Sequence, residues 1–346
     1  MYLSSPPKRF KRSSLVRGLL NFGFNSGLIH LGRPLWAKSL TVLNYHRIAD
    51  LDADTFQPNV SASAADFDRQ MQYLSRWFKV VSVQDVHAWL LEGKPLPPHA
   101  ALITFDDGYL DNYVNAYPIL RKYGFSAIIF LTAGHIEADA PFFWDLTAYC
   151  FSHTQQDRIA FPDGTEQSWH DEAGKQRVSH AWIESLKRLT EDEKQAWVRR
   201  LPEALGVAVP QGFFKSLMMS WDQVREMSAN GIEFGGHTVN HPILTRIPPE
   251  RARTEIEGSL AKISAELGRP ITSFAYPNGM STDFNETVIQ ITKEAGCITA
   301  YTLLNGPASL REVRQSPYAI RRSFISHAHT MPEFCALISP INRLRR

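Results

Sequence analysis

Short apolar runs alternate with helix-like stretches in this 346-residue sequence, beginning at about residue 40. The helix-like stretches show a helical period, and between residues 66 and 78 apolar side chains recur at Phe67, Met71, Leu74 and Phe78. Strands and helices in alternation are typical of an α/β fold around a mainly parallel sheet or barrel. We therefore expect one α/β domain over residues 40–346, preceded by a separate segment of residues 1–39.

Several of the apolar runs end in residues that can do chemistry. Four runs lead into His46, into Asp106 and Asp107, into His237, and into the turn Pro277-Asn278-Gly279. In a parallel barrel the carboxyl ends of the strands meet at one face, and the active sites of barrels lie at that face. The pattern thus predicts a site that is assembled from several strand ends.

The alternation is interrupted between residues 140 and 219. This stretch is polar and contains several tryptophans, and it has a helical tract near residues 182–201. We interpret it as an insertion that lies over one side of the site. The aromatic residues near its start, Phe142, Phe143 and Trp144, either stack on a ligand or belong to the core, and the core is favoured.

Asp106 and Asp107 are adjacent, and Gly108 after them permits a tight turn. Neighbouring residues at a strand end point in different directions, so one carboxylate can bind a cation while the other stays free to act as a base. A bound cation also keeps the second acid ionised, because a nearby positive charge lowers the pKa of a carboxyl group. The alternative is an ordinary Asp-Asp-Gly turn without a chemical role.

His237 and His241 weaken that alternative. They are four residues apart, on one side of a single turn, which is the spacing of helical zinc motifs. Glycines before the pair and Pro242 after it indicate a loop rather than a long helix. Two imidazoles and one carboxylate, with water in the open positions, suit a catalytic divalent metal ion. The sequence therefore predicts one divalent ion, zinc first, with cobalt or nickel as alternatives.

The motifs Thr104-Phe-Asp-Asp-Gly108 and His237-Thr-x-x-His241, in this order, resemble those of the polysaccharide deacetylases of carbohydrate esterase family four, the chitooligosaccharide deacetylase homology domain. The likeness extends over about residues 40–330. It implies a distorted (β/α) barrel of seven or eight strands, and the long insertion between the two metal-ligand motifs is larger here than in minimal members of the family. It also implies Asp106 as the catalytic base and Asp107, His237 and His241 as the metal ligands.

The third motif of the family has an unusual form here. The family usually reads Phe-Arg-x-Pro-Tyr-Gly, and this chain has Ala275 in the place of the arginine that orients the base. Arg322, in a later strand-like stretch, is our candidate replacement, and a surface ion pair is the alternative. The resemblance also implies the backbone N–H near Asn278 as an oxyanion donor. Tyr276 either lines the substrate pocket or packs in the core.

The histidine that supplies the general acid in most of the family has no obvious counterpart near the end of this chain. The stretch Val42-Leu-Asn-Tyr-His46 is similar to the N-terminal Tyr-His of the poly-N-acetylglucosamine deacetylase branch, where the acid comes from the first strand. Closure of a barrel brings the first and last strands together, so either source can reach the same place. We therefore assign the acid to His46, with His327 or His329 as the alternatives.

The first 39 residues are basic in character. Residues 1–40 contain seven Lys or Arg and no acid, whereas the remainder of the chain is net acidic. Polar residues such as Arg17, Asn21 and Asn25 interrupt the apolar stretch, which is typical neither of an export signal nor of a membrane span. The segment favours a peripheral contact with an anionic membrane or, equally, a helix packed on the body. We expect a cytoplasmic location or one peripheral to the inner membrane, with export left open.

The overall charge and the cysteines exclude other classes. A net charge of +2 argues against a dedicated nucleic-acid binder, so no nucleic-acid partner is expected. Cys150, Cys297 and Cys335 are widely spaced and odd in number, which favours free thiols in the core over a disulfide framework or a Cys-x-x-Cys metal site.

The sequence thus predicts a metal-dependent hydrolase that removes N-acetyl groups from the amino sugars of a polysaccharide or of its precursor. Its binding partner would be an N-acetylated oligo- or polysaccharide. Two alternatives stay open: a deacetylase of a lipid-linked sugar at the membrane, and a catalytically inactive carbohydrate-binding homologue. The intact Asp and His residues argue against the inactive homologue, while Ala275 argues mildly for it.

Overall fold

The computed structural model describes residues 14–28, 37–51 and 59–339. Most of the basic residues of the N-terminal segment lie outside these ranges. The strands are β1 (Ser39–Tyr45), β2 (Arg47–Ile48), β3 (Val60–Ala62), β4 (Lys79–Val80), β5 (Ala100–Asp107), β6 (Ala127–Leu131), β7 (Arg158–Ala160), β8 (Glu166–Ser168), β9 (Ile232–Gly236), β10 (Ser273–Ala275), β11 (Thr299–Asn305), β12 (Ala308–Ser309) and β13 (Ile320–Phe324).

The helices lie mainly between these strands along the chain. They are α1 (Ser14–Asn25), α2 (Ala64–Trp77), α3 (Val83–Glu92), α4 (Tyr117–Tyr123), α5 (Phe143–His153), α6 (Glu172–Leu186), α7 (Glu191–Ala204), α8 (Trp221–Ala229), α9 (Pro249–Leu267), α10 (Glu286–Glu294), α11 (Leu310–Gln315) and α12 (Met331–Leu337). Several begin at a side-chain cap, and at the start of α8 the hydroxyl of Ser220 accepts the backbone N–H of Gln223.

Seven parallel strands close into a barrel, in the order β1, β13, β11, β10, β9, β6, β5 and back to β1. The prediction of a distorted (β/α) barrel is confirmed, and the number of strands is seven. Closure depends on β1, which pairs with β5 from Leu40↔Ala100 to Tyr45↔Phe105 and with β13 at Leu43↔Ser323. The first and last strands of the barrel are therefore neighbours at the face where the strands end.

Two buried clusters line the two sides of the barrel wall. Residues such as Val42, Leu102 and Phe130 belong to the cluster inside the barrel, while their neighbours along the strands, such as Leu43 and Ile103, belong to the layer that packs against the helices. Side chains alternate along a strand. Continuing the inner positions toward the strand ends brings Asn44, Thr104, Asp106 and Arg322 to the same interior.

The predicted insertion forms helices α5, α6 and α7 together with the hairpin of β7 and β8. Its large apolar side chains, Trp182 and Leu186 among them, belong to the same buried cluster as the outer barrel wall. At its end, the backbone N–H of Met219 donates to the carbonyl of Gly108, directly after the Asp pair. The insertion is thus in contact with the turn that carries the acids.

Two further expectations can be compared with the described residues. Cys150, Cys297 and Cys335 are buried free thiols, as the sequence predicts. None of the helices in the described residues combines the length and the apolar character that crossing a membrane requires. Helix α1 lies against α12 at one side of the barrel.

Candidate active site

Asp106 is the best-held side chain at the end of the barrel. The guanidinium of Arg322 donates in bidentate fashion, from Nη1 to Oδ1 at 2.7 Å and from Nη2 to Oδ2 at 2.8 Å. The amide Nδ2 of Asn44 donates to Oδ2 at 2.9 Å. Charge-assisted pairs of this planar type fix both distance and orientation. The carboxylate of Asp106 is therefore held in one position by two strands that are distant from it in sequence.

The candidate replacement for the missing family arginine lies inside the barrel. Arg322 is 0% exposed, so the alternative of a surface ion pair does not hold. Its Nε donates to the carbonyl of Thr302 at 3.0 Å, and its Nη1 also donates to the hydroxyl of Thr104. A buried charge needs such partners, because an unpaired one is costly. A guanidinium from β13 thus contacts the acid that Ala275 of β10 cannot reach.

The charged groups around Asp106 determine its ionisation. Burial by itself raises the pKa of the carboxyl group, but the positive charge of Arg322, with smaller contributions from His237 and His46, outweighs burial and lowers the pKa to about 2. Asp106 is consequently a carboxylate at neutral pH, able to accept a proton and unable to donate one.

Asp107, His237 and His241 converge beside Asp106. The Nε2 atoms of the two histidines lie 3.7 Å and 3.6 Å from Oδ1 of Asp107. One ligand atom from each residue falls within 4.8 Å of the others, and all three residues are buried. The residues that the sequence predicts as metal ligands are thus close enough together to share one ion.

Three polar atoms of this group have no partner in the described part of the chain, which is the reverse of the situation at Asp106. Both carboxylate oxygens of Asp107 and Nε2 of His237 are buried without a hydrogen-bond partner among the described residues. Buried polar atoms are almost always satisfied in proteins, so three such atoms aimed at one another indicate a ligand. One oxygen and two nitrogen donors fit a divalent ion such as zinc.

The protonation states of the group agree with this. Burial lowers the pKa of His237 and, together with the neighbouring His237 and Lys194, lowers that of His241 well below its usual range. Nδ1 of His237 lies 2.7 Å from the carbonyl oxygen of Ala275 and must donate to it. The proton is therefore on Nδ1, and Nε2 has a free lone pair that can bind a metal ion. Burial and then the nearby Asp106 raise the pKa of Asp107, and a cation would compensate that repulsion.

The turn that carries the two histidines has a constrained backbone. Thr238 and His241 have φ of 68° and 58°, and Asp107 across the site has φ of 76°. Residues other than glycine rarely adopt this left-handed region, and such strain is concentrated at functional sites. The Thr238 hydroxyl stabilises the turn by accepting the backbone N–H of His241 at 2.9 Å.

Glu255 of α9 holds the same turn from outside, and sequence reasoning missed it. Its Oε2 accepts the backbone N–H groups of Val239 and Asn240, at 2.9 Å and 2.8 Å, and its Oε1 accepts the side-chain amide of Asn240 at 2.8 Å. Glu255 is 5% exposed, an unusual burial for a glutamate in a surface helix. The only signal in the sequence was its position on the apolar face of the helix, between Ala252 and Ile256.

His46 also lies close to Asp106. Its Nε2 is 3.9 Å from Oδ2 of Asp106, and its Nδ1 is buried without a hydrogen-bond partner in the described residues. The backbone of His46 is fixed by Ser61, whose hydroxyl accepts its N–H, and by Asn112, whose amide donates to its carbonyl. Burial lowers the pKa of His46 to about 4, against the opposing effect of Asp106. The free imidazole is therefore neutral at pH 7.

The alternative acids are engaged elsewhere. His327 is exposed, and its Nδ1 lies 3.2 Å from the carbonyl of Val60. Nδ1 of His329 accepts the backbone N–H of Ser326 at 3.1 Å. His46, in contrast, has its Nε2 3.9 Å from Oδ2 of Asp106.

The two remaining predicted residues differ in their surroundings. Tyr276 is 0% exposed, its ring stacks on Phe284, and its hydroxyl donates to the carbonyl of Tyr318. These contacts favour the core alternative for Tyr276 over a place in the substrate pocket. Asn278 has φ of 59° and is half-buried, and its backbone N–H donates to no acceptor in the described part of the chain.

The aromatic residues of the insertion are core residues that pack on the metal-ligand group. Trp144 and Phe142 are buried and contact the His241 ring edge-on, with centroids 4.8 Å and 5.7 Å away. The indole N–H of Trp144 donates to the hydroxyl of Tyr109, which in turn donates to Asp145. The insertion thus supports His241 from behind, as a core and not as a stacking platform.

The fold and this site define a class of protein. Residues 93–300 match the family model for polysaccharide deacetylases, and the chain belongs to that family. It is accordingly a deacetylase, a hydrolase built on a (β/α) barrel. The match includes Asp106, Asp107, His237 and His241 but ends before β13 and begins after β1, so His46 and Arg322 lie outside it.

Among individual relatives, the chain is 23% identical to YxkH of Bacillus subtilis (strain 168), a polysaccharide deacetylase by name, over 309 residues that cover 88% of this chain and 79% of the relative. It is 31% identical to the poly-β-1,6-N-acetyl-D-glucosamine N-deacetylase of Staphylococcus aureus (strain MSSA476) over 110 residues, 29% of this chain. That alignment spans 38% of the Staphylococcus protein.

Solved structures share the fold at low sequence identity. The deacetylase PplD of Streptococcus pyogenes, solved in complex with acetate, has a TM-score of 0.60 at 20% identity, covering 87% of this chain and 99% of that one. IcaB from Ammonifex degensii has a TM-score of 0.51 at 20% identity and covers 87% of this chain and 97% of its own. Both likenesses support the barrel architecture.

Proposed function

We propose that this chain removes acetyl groups from the N-acetylated amino sugars of a polysaccharide or of its precursor, with a divalent metal ion, zinc first. The observation that carries the proposal is the contrast within one site. A fully held carboxylate, Asp106, stands beside three candidate metal ligands, Asp107, His237 and His241, and the oxygens of Asp107 and Nε2 of His237 have no hydrogen-bond partner among the described residues. Metal-assisted hydrolysis of an amide uses such a pair of functions, because the metal would bind the attacking water and the base would take its proton.

Asp107, His237 and His241 would hold the metal ion. When bound, a divalent ion lowers the pKa of a coordinated water and polarises the acetyl carbonyl. The neutral state of both imidazoles and the fixed tautomer of His237 suit this role. The phenyl and indole rings of Phe142 and Trp144 restrict the movement of His241.

Asp106 would accept the proton of the attacking water. Its pKa of about 2 keeps it ionised over the whole neutral range. Arg322 and Asn44 hold its two oxygens, so the carboxylate loses little freedom when the substrate binds. Ala275 was the argument for a catalytically inactive homologue. Arg322 supplies the guanidinium that is missing at Ala275, and this supports an active enzyme.

Two groups would act on the rest of the amide. The backbone N–H of Asn278 is available as a donor to the oxyanion, where preorganised N–H groups stabilise developing charge. His46 would donate a proton to the departing amine, which is otherwise a very poor leaving group. Burial lowers the pKa of the free imidazole to about 4, and a developing negative charge nearby would favour its protonated form.

The names of the relatives suggest the substrate class. Poly-β-1,6-N-acetyl-D-glucosamine is the substrate in the names of the Escherichia coli and Staphylococcus aureus relatives, which are 32% and 31% identical over 97 and 110 residues. We therefore put β-1,6-linked N-acetylglucosamine polymers first, as an exopolysaccharide.

A panel of glycans tests the proposal. Zinc-loaded protein is incubated with β-1,6-linked and β-1,4-linked N-acetylglucosamine oligomers and with an O-acetylated sugar, and acetate and free amine are measured. Acetate and amine should appear in equal amounts from the N-acetylated oligomers, fastest from the β-1,6-linked ones, and not with the Asp106→Asn variant. Release from the O-acetylated sugar alone would contradict the proposal.

A further inference from the structure

The outward side of helix α1 takes no part in the site described above. Leu19 and Phe22 are 63% and 65% exposed there, and Leu28, just beyond the helix, is 49% exposed. These are three of the seven large apolar side chains that are exposed in the described residues, and they fall within ten positions. Single exposed apolar residues are ordinary, but a group of them marks a contact surface.

The opposite side of α1 is already occupied. Leu20 and Phe24 pack against the buried core, and Nε of Arg17 lies 3.6 Å from Oε1 of Glu333 in α12. The helix is therefore fixed to the body by one side and presents a second apolar side to the outside. The two alternatives of the sequence analysis, a packed helix and a surface-binding helix, are compatible in this arrangement.

The charge around α1 indicates what covers the outward side. Lys8, Arg9, Lys11 and Arg12 precede the helix, and residues 1–40 contain no acid, whereas the remainder of the chain is net acidic. Arg12 is only two positions before Ser14, the first residue of α1. Apolar side chains with adjacent cations are the composition of helices that lie on anionic membranes.

A second copy of the chain fits this surface less well. Stable protein interfaces bury about 800 Å² on each partner, far more than two or three side chains provide. In a symmetric pair, the basic segments of both copies would also be brought together and would repel each other.

We propose that α1 is a peripheral membrane anchor, in which Leu19 and Phe22 enter the interfacial layer of an anionic bilayer and the preceding basic residues contact its headgroups. Helix α12 follows β13 in the chain, and its first-turn residue Glu333 contacts Arg17 of α1, so the anchor is attached directly to the catalytic domain.

The test measures binding of the full chain to vesicles of phosphatidylcholine alone and of phosphatidylcholine with phosphatidylglycerol. We expect binding to the anionic vesicles only, weakened by salt. The double variant Leu19→Ser, Phe22→Ser should reduce the partition coefficient by at least about tenfold. Leu91→Ser is the matched control, because Leu91 is 67% exposed on α3. This variant should bind the vesicles as the unchanged chain does.

Two further measurements keep the proposal falsifiable. Replacement of Lys8, Arg9, Lys11 and Arg12 by Gln removes the charge without altering the helix, and it should also weaken binding. Acetate release from soluble oligosaccharides should be the same for all variants, which separates the anchor from the catalytic proposal. Equal binding to neutral vesicles, unchanged binding by the double variant, or a dimer in light scattering that the double variant abolishes would overturn the anchor.

Discussion

The strands within the family match and the two strands that close the barrel supply different halves of the site. Strands β5 and β9 lead to Asp106, Asp107 and His237, and they lie inside the matched residues 93–300. Strands β1 and β13 lie outside the match, yet they bring Asn44, His46 and Arg322 to Asp106. The metal half is encoded in short contiguous motifs, while the base half is completed by barrel closure.

The two halves also differ in hydrogen bonding. At Asp106 both oxygens are satisfied by Arg322 and Asn44, whereas both oxygens of Asp107 are unsatisfied. The fold thus uses the closing strands to hold one of two adjacent acids and leaves the other for a ligand. Variants in the two halves should therefore fail in different ways.

The largest effect is expected in the metal half. His237→Ala removes one of three ligands, so the bound ion should be lost and acetate release should fall by at least about 10³-fold, since a metal contributes several kcal/mol to the transition state. Metal content by mass spectrometry and turnover are measured together. His180→Ala, a half-buried histidine of α6, is the control and should retain both. Full metal content in His237→Ala would break the proposed ligand set.

His46 should matter for the leaving group and not for the metal. His46→Ala is expected to lower turnover on an N-acetylated sugar by about 10²–10⁴-fold, the usual contribution of a general acid. An acetate ester with a good leaving group needs little protonation, so its hydrolysis should change much less. Metal content should stay at the wild-type level. Equal losses on amide and ester would make His46 a structural residue and return the acid role to His327 or His329.

The contribution of the closing strand β13 can be measured from the pH dependence of an Arg322 variant. In Arg322→Gln the guanidinium no longer opposes burial, so the pKa of Asp106 should rise from about 2. A base must be ionised, so the acid limb of kcat/KM should move to higher pH, and kcat should fall by about 10²-fold because the carboxylate is held less firmly. Arg321→Gln, on the other face of β13, should shift neither. An unmoved acid limb in Arg322→Gln would show that Arg322 does not control the base.

The smallest effect is expected at Glu255, which acts through the histidine turn. The two carboxylate oxygens of Glu255 accept three hydrogen bonds from the turn, and Glu255→Gln replaces one of these oxygens by an NH2 group. The turn should therefore loosen, and metal affinity should fall by about 10–100-fold, as for other groups that orient metal ligands. Metal titration of the metal-free protein gives the affinity directly. Glu257→Gln, on the exposed side of α9, is the control. Unchanged affinity at near-wild-type stability would remove Glu255 from the site.

The sequence was sufficient for the metal half because its ligands are close in sequence and stand where strands end. Asp107 follows an apolar run, and His237 and His241 have a spacing that a single turn explains. The barrel could be predicted from the alternation of strands and helices. The number of strands could not, since it depends on whether β1 meets β5 across the closure.

The base half was harder because its contacts connect distant positions. Arg322 and Asp106 are 216 positions apart, and only the closed barrel shows that Arg322 is buried beside the acid. Asn44 in a strand and Glu255 in an amphipathic helix have no spacing that marks them, because their roles arise from docking against other elements. For Tyr276 the sequence left two possibilities open, because a large aromatic residue next to a site can line a pocket or fill the core. Its burial favours the core.

The two adjacent acids are expected to have different roles, Asp106 as the base and Asp107 as a metal ligand, and a pair of variants distinguishes these roles. Asp106→Asn and Asp107→Asn are compared for bound metal and for acetate release from N-acetylated oligosaccharides. We expect Asp106→Asn to bind metal as the wild type does while turnover falls by about 10²–10⁴-fold, and Asp107→Asn to lose both. Loss of metal from Asp106→Asn together with retention by Asp107→Asn would contradict the assignment and exchange the two roles.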